Sequence, residues 1–351
     1  MNELIESFRE TLLAAGRNAT ALSITGSGSK TFYGRQPQGN TFNVGKYAGV
    51  IDYSPTELVI TARTGTPLAE IETVLAGENQ VLAFEPPFFG PGATLGGTIA
   101  CGLSGPRRPY AGAARDFVLG ITCLNGKGEY LRFGGQVMKN VAGYDVSRTL
   151  TGSLGTLAIL LDISLKVLPR AETDITLCRE TRPAEAIRLM NRWAGQPLPL
   201  SAACCYDGQL AVRLSGNTRG VQAAVKKIGG EHMDTAQSFW DDLREHRHAF
   251  FSGAEPLWRL SVPPATAPLP LEGDCLLDWG GAQRWIRTPL PAGQIRAAAT
   301  AAGGHASLFR GDDRDTVFQP LPAALLALHQ RLKHSFDPER ILNPGRMFAE
   351  L

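Results

Sequence analysis

The spacing of apolar positions divides the chain into regular segments. Leu4, Ile5, Phe8 and Leu12 recur at helical spacing, so residues 2–15 are predicted to form an amphipathic helix that Gly16 stops. Ala21 to Thr25 reads as a short strand running directly into Gly26-Ser27-Gly28-Ser29-Lys30. VIDYSPTELVITARTG predicts two strands around a Ser-Pro turn. Thr66 is placed to cap a helix that begins at Pro67, buries Leu68, Ile71 and Leu75, and ends at Gly77 before a strand VLAF. FVLGITCLNGKGEYLRF predicts a hairpin turning at Asn125-Gly126, and LAILLDISLKVLP a strand halted by Pro169.

Beyond about residue 170 strands and helices alternate. TDITLCRE is followed by the helix PAEAIRLMNRWAG, then by a hairpin SAACCYDGQLAVRL around Asp207-Gly208. TRGVQAAVKKIGG and SFWDDLREHRHAFF predict helices, and LWRLSVP, DCLLDWG and QRWIRTP strands. QIRAAATAAGG predicts a helix leading to HASLF, and ALLALHQRLKHSF a last helix before DPERILNPGR. The expected fold class is α+β, with a second domain whose antiparallel sheet carries helices on one face.

With 351 residues the chain exceeds one ordinary core. A formal net charge of +2 with no long basic run argues against nucleic-acid binding. The N-terminus has charges throughout and no apolar segment of signal-peptide type, and no window approaches a membrane span. None of the six cysteines forms a C-x-x-C pair, which points to buried thiols in a reducing compartment, with no metal or iron–sulfur site. Vicinal Cys204 and Cys205 are expected to face opposite sides of a strand.

The chemistry concentrates in the glycines. Residues 90–155 hold 15 of the chain's 39, so backbone geometry sets the requirements there. Three loops stand out. Thr25 to Ser29 make a turn whose N–H groups, with Lys30, can converge on an anion. In PGATLGGTIACGLSG small residues leave room for a broad ligand or for a tight backbone crossing. KNVAGYDVSRTLTGSLGT ends in a second donor turn at Gly152, Ser153, Gly155 and Thr156, and its Lys139, Asn140 and Gly143 are unusual ahead of a buried strand. A P-loop is absent, and a Rossmann fingerprint fails at residue 31, which is Thr. Together the loops suggest one extended ligand with a pyrophosphate in its middle.

The order GSGS, GATLGGTIA, RDFVLG, KNVAGYD, GSLGT and LKVLP resembles the FAD-binding domain of the vanillyl-alcohol-oxidase type. RRPYAGAARDFVLG, LLDWGGAQRW and NPGRMFAEL extend that resemblance over nearly the whole chain, to the FAD-binding subunits of bacterial glycolate oxidase. The resemblance implies an FAD-binding domain of two α+β subdomains over 1–172, a second α+β domain over 173–310 and a C-terminal segment, 311–351, returning to the flavin domain. It assigns non-covalent FAD to Thr25, Gly26, Ser27, Gly28 and Ser29. It adds Thr94, Gly96, Gly97, Ala100, Gly102, Ser104 and Gly105, then Gly152, Ser153, Gly155, Thr156 and Ile159, and finally Asn343 near the flavin ring. The implied function is oxidation of glycolate and similar 2-hydroxy acids to glyoxylate. The implied partners are a sister FAD-containing catalytic subunit and an iron–sulfur subunit. Such a chain would be cytoplasmic and would reach the inner membrane only through them.

Two departures bear on catalysis. Catalytic relatives read GSEGTLGIIT where this chain has GSLGTLAILL, so Leu154 replaces an acid and Ala158 a glycine. Their two-histidine metal cluster is reduced here to His305, a candidate base or an ordinary histidine. Arg107, Arg108 and Arg346 could hold a carboxylate, hold a flavin phosphate or lie at a subunit contact. His246 and His248, two apart on a predicted helix, are expected to be solvated, and Trp279 and Trp285 to anchor the core or an interface. An assembly subunit with little or no flavin, and a stand-alone flavin reductase, are the alternative functions.

Overall fold

The computed structural model describes residues 3–136 and 145–351. Lys139, Asn140 and Gly143 of the third loop therefore lie outside the described residues. A five-stranded antiparallel sheet, in the order 50–54, 59–63, 158–166, 118–125, 130–134, forms the centre of the N-terminal half. Its strand Ala158–Lys166 is buried on both sides, which explains a nearly continuous apolar run in place of strict alternation. Ile159 and Leu161 pack against Ile5, Phe8 and Leu12 of the helix Glu3–Arg17. Leu160, Ile163 and Leu165 face the helices Leu68–Gly77 and Leu95–Cys101. Beside this sheet, Leu22–Thr25 pairs in parallel with Asn40–Asn43, and Leu342 bridges Leu22 from the C-terminal end.

The second half is an eight-stranded antiparallel sheet in the order 231–232, 173–180, 209–216, 200–206, 274–278, 283–287, 257–261, 305–310. Helices Pro183–Ala194 and Thr218–Ile228 cover one face, with Cys205 beneath them. Cys204 points to the other face, where Trp240 and Leu243 of the helix Ala236–Arg244 pack with Tyr33 and Leu154 of the first half. Helices therefore lie on both faces of this sheet, and the inner one fills the junction between the halves.

Three local readings change. Thr66 does not cap the helix after it: its hydroxyl is held between Gly49 and the Arg63 carbonyl, and the cap position falls to Pro67 without a side-chain bond. The hairpin after Asn125 closes through a longer loop in which Asn125 Oδ1 accepts from the amides of Lys127 and Glu129. The helix expected to reach residue 251 ends at Arg244; His246 is left-handed (φ 56°), and a short 3-10 turn follows at Ala249–Ser252.

Candidate functional site

The three glycine loops meet. The first follows the strand Leu22–Thr25 and turns back at Gly28, which has φ 80°. Among the described residues, the amides of Ser27 and Gly28 have no acceptor within the protein, so they are free for a ligand. Gly26 lies flat against Thr94: a Cβ there would overlap the Thr94 hydroxyl. That hydroxyl accepts from the Gly97 amide at 3.3 Å and opens the helix Leu95–Cys101. The second loop is bonded to the third, from Gly152 N to Ile99 O at 2.9 Å and from Leu154 N to Ala100 O at 2.8 Å. Asn343 closes the group. Its Oδ1 accepts from Ile24 N at 2.7 Å and its Nδ2 donates to Leu154 O at 2.7 Å.

These contacts enclose a cleft lined by Thr25, Gly26, Ser27, Gly28, Ser29, Thr94, Gly97, Ala100 and Asn343 of the expected residues. Lys30, Cys101, Leu154 and Arg346 complete it. Leu154 is itself left-handed (φ 54°), which turns its side chain into the lining. The other expected residues stand behind this surface. A Cβ on Gly96 would overlap the Thr64 side chain, so that glycine serves a helix–strand crossing. Gly102 caps the helix in the left-handed region, against the Gly152 backbone. The Ser153 and Thr156 hydroxyls bond within their own loop, to the carbonyls of Leu150 and Ser153. A Cβ on Gly155 would come 2.7 Å from Asn343 Nδ2. Ile159 is fully buried in the core beside the N-terminal helix. Ser104 and Gly105 line a different cavity, described below.

Two cations give the cleft its sign. Lys30 and Arg346 are 6% and 7% exposed, and among the described residues neither has a carboxylate within ion-pair distance. Lys30 Nζ donates to Phe88 O at 3.1 Å. The Arg346 guanidinium donates to the carbonyls of Thr31, Tyr33 and Arg35. Burial lowers both, Arg346 to about 10. A buried charge without a partner costs several kcal/mol. A phosphate brought against the free amides would offset that cost, so the residues present fit a dinucleotide-type cofactor such as FAD.

A second, narrow cleft lies where the two halves face each other. Phe89, Leu103, Ser104 and Gly105 come from the first half; Arg259, Asp278, Gln283, Trp285 and Phe309 come from the inner face of the large sheet. His246 reaches it too, which corrects the expectation of a solvated side chain. The left-handed residue turns the imidazole inward, stacked on Phe251 at 3.9 Å and edged by Phe89 and Trp285. Its Nδ1 is buried with no partner among the described residues. Burial and three nearby arginines push it well below the ordinary histidine range. His248 is half-buried, its Nδ1 accepting from Phe250 N at 3.3 Å. His305 begins the edge strand His305–Arg310, is exposed, and enters neither cavity. Arg107 is tied to Glu85 and Asp174, and Arg108 lies over the Trp279 ring.

Residues 3–134 match the family model described as "FAD binding domain". The chain is 49% identical over 332 residues to glycolate oxidase subunit GlcE of Escherichia coli K12, covering 95% of this chain and 94% of that one. The chain belongs to the glycolate oxidase subunit GlcE family. Glycolate oxidase subunit GlcD of Bacillus subtilis is 33% identical over 129 residues, 36% of this chain and 27% of that protein. In structure, an alkyldihydroxyacetonephosphate synthase superimposes with a TM-score of 0.66 at 15% identity, covering 97% of this chain and 74% of its own.

The FAD binding domain match ends at residue 134, whereas Leu154, Asn343 and Arg346 of the cleft lie beyond it. In this GlcE-family chain the glycine-loop cleft is thus completed by the third loop and the C-terminal segment. The relation to the synthase shows that the α+β architecture is shared end to end with a larger protein.

Proposed function

We propose that this chain is the FAD-holding subunit of a complex oxidising glycolate and similar short 2-hydroxy acids to glyoxylate. The observation that supports this most directly is the pair of buried cations, Lys30 and Arg346, facing a loop with free amides. Ser27 and Gly28 N–H groups would hold the pyrophosphate, with Thr94, Gly97 and Ala100 along it and Leu154 and Asn343 at its far wall. FAD, when bound, supplies the two-electron acceptor. The protein supplies a rigid cationic cradle for the anion, an apolar wall at Leu154, and a buried approach between its two halves. The reading takes 1–172 as the flavin domain, 173–310 as the cap, and 311–351 as a returning segment.

The chain has no C-x-x-C pair for a cluster. A sister FAD-containing subunit and an iron–sulfur subunit would therefore carry electrons onward. No helix among the described residues is long and apolar enough to cross a membrane, so the reading has a cytoplasmic chain meeting the inner membrane through those partners. The test is the visible spectrum of the purified chain, then of its Lys30→Met variant. A flavin band that survives gel filtration and is weakened in the variant is expected. A colourless protein that takes up no added FAD would replace this reading with an assembly role.

A further inference from the structure

We propose that Glu245, in the second half of the chain, is a positioning residue for the glycine-loop cleft: it holds the segment 85–92 from behind and, through that segment, aims Lys30 into the cleft. The inference rests on the flavin reading above and deepens it by naming what places one of the two cations.

The segment reads EPPFFGPG and needs support from outside itself. Its three prolines lack amide donors and keep it out of a helix or a sheet ladder. It lies in neither, and among the described residues the amides of Phe88 and Phe89 have no backbone acceptor. The Glu245 carboxylate takes both. Its Oε2 accepts from Phe88 N at 3.1 Å and from Phe89 N at 2.9 Å, and its Oε1 from Phe88 N at 3.2 Å. The Glu245 side chain is 7% exposed, and Arg244 Nε holds its Oε1 at 2.9 Å. Glu85 and Phe89 lie in the left-handed region, at φ 48° and 52°, which such residues keep only where their contacts impose it. Glu85 is also bound from the second half, by Arg213 Nη2 at 2.7 Å. The segment is therefore gripped at two points, one on either side of Pro86-Pro87.

Its other side faces the cleft. Phe88 O accepts from Lys30 Nζ at 3.1 Å, the one hydrogen bond of that ammonium among the described residues. Phe88 O and Phe89 N belong to the same peptide group. Carboxylate and ammonium thus sit at its two ends in the orientation that its dipole favours, so each bond strengthens the other. Gly90 and Gly92 lie against the first loop: a Cβ on them would come 3.5 Å from Ser29 Cβ and 3.2 Å from Ser27 Cβ. Burial lowers Lys30, and the negative charge of Glu245 is among the influences that oppose this.

The test is hydrogen exchange by mass spectrometry across 85–92 and acetylation of Lys30 by acetic anhydride, on the full chain with and without FAD, beside the FAD dissociation constant. Glu245→Ala is expected to speed exchange in this segment about tenfold or more. It should raise labelling of Lys30 relative to the exposed Lys226 and Lys227, and weaken FAD about 10- to 100-fold. Glu245→Gln keeps an oxygen for both amides and gives up the charge, so slow exchange and most of the affinity should return. In a Lys30→Met background Glu245→Ala should weaken FAD by less than about threefold, because its effect passes through Lys30. Should Glu245→Ala fail to fold by circular dichroism, Glu245→Leu fills the space and must still free 85–92 and Lys30. Fully additive losses, or exchange in 85–92 that the variants leave unchanged, overturn the proposal. A folded variant that loosens throughout the chain and is not rescued by Glu245→Gln overturns it too, since that is a structural role alone. The FAD measurement separates the two ideas. Parent protein that takes up no FAD, while Glu245→Ala still frees 85–92 and Lys30, removes the flavin reading and leaves Glu245 as the residue that aims the cation. FAD that binds equally to the parent and to Glu245→Ala removes only the positioning role.

Discussion

Asn343 shows how a single side chain can hold the walls of a cleft together without reaching far into it. Its amide joins the strand before the first loop to the carbonyl of Leu154 in the third, using both ends of the group. It sits at φ 42°, a conformation Asn tolerates better than most residues. Next to it, Lys333 donates to Asp337, to Thr156 O and to Leu342 O, while Asp337 accepts from the amides of Ile341 and Leu342. The FDPERILNPGR ending is therefore a clamp on the third loop. Asn343→Ala would leave the Ile24 amide and the Leu154 carbonyl without partners, so a loss of about 2–4 kcal/mol in denaturant unfolding is expected. A loss of flavin at unchanged stability would instead assign Asn343 to the cofactor alone. Residue types were readable from sequence at this scale, but roles were not: Thr66 resembles a cap until its partner Gly49, 17 residues away, is in place.

Among the elements, the helix Leu95–Cys101 separates packing from cleft lining at adjacent glycines. A Cβ on Gly96 would also come 3.0 Å from Thr64 O, while one on Gly97 would meet only the Thr94 hydroxyl, at 3.2 Å. Gly96→Ala is thus expected to destabilise by about 2–3 kcal/mol through overpacking. Gly97→Ala gains helix propensity, about 1 kcal/mol, and should stay folded while binding flavin more weakly. Thermal melts and flavin content of the two variants check this; equal melts would contradict the assignment. Elements were legible where periodicity and turn residues agree, as in the hairpin around Asp207-Gly208. The helix expected to run to residue 251 stops at Arg244 although no Gly or Pro marks its end. The stop comes from a left-handed His whose ring is drawn into aromatic neighbours distant in sequence.

At the scale of the whole molecule, two sheets face each other across a junction that no local spacing encodes. Its lining runs from Pro87 to Phe309, so alternation predicts strands on either side and yet not the cleft between them. The junction leaves a measurable mark through Asp278. Burial raises this carboxyl from 3.8 to about 7, against smaller opposing effects from the Trp279 amide and Gln283. The folded state then holds a proton that the unfolded chain releases near pH 4. Stability from this group is present below that pH and falls as pH rises towards 7, by up to roughly 4 kcal/mol. His246 acts oppositely, losing stability as pH drops below its ordinary 6.5, because the folded protein resists protonating it. Asp278→Asn isolates the acid, since His246 is present in both proteins. Denaturant unfolding at pH 5 and pH 8 should show the variant gaining on the parent at the higher pH. A gap that does not change with pH would mean that water reaches Asp278 and that the junction is open.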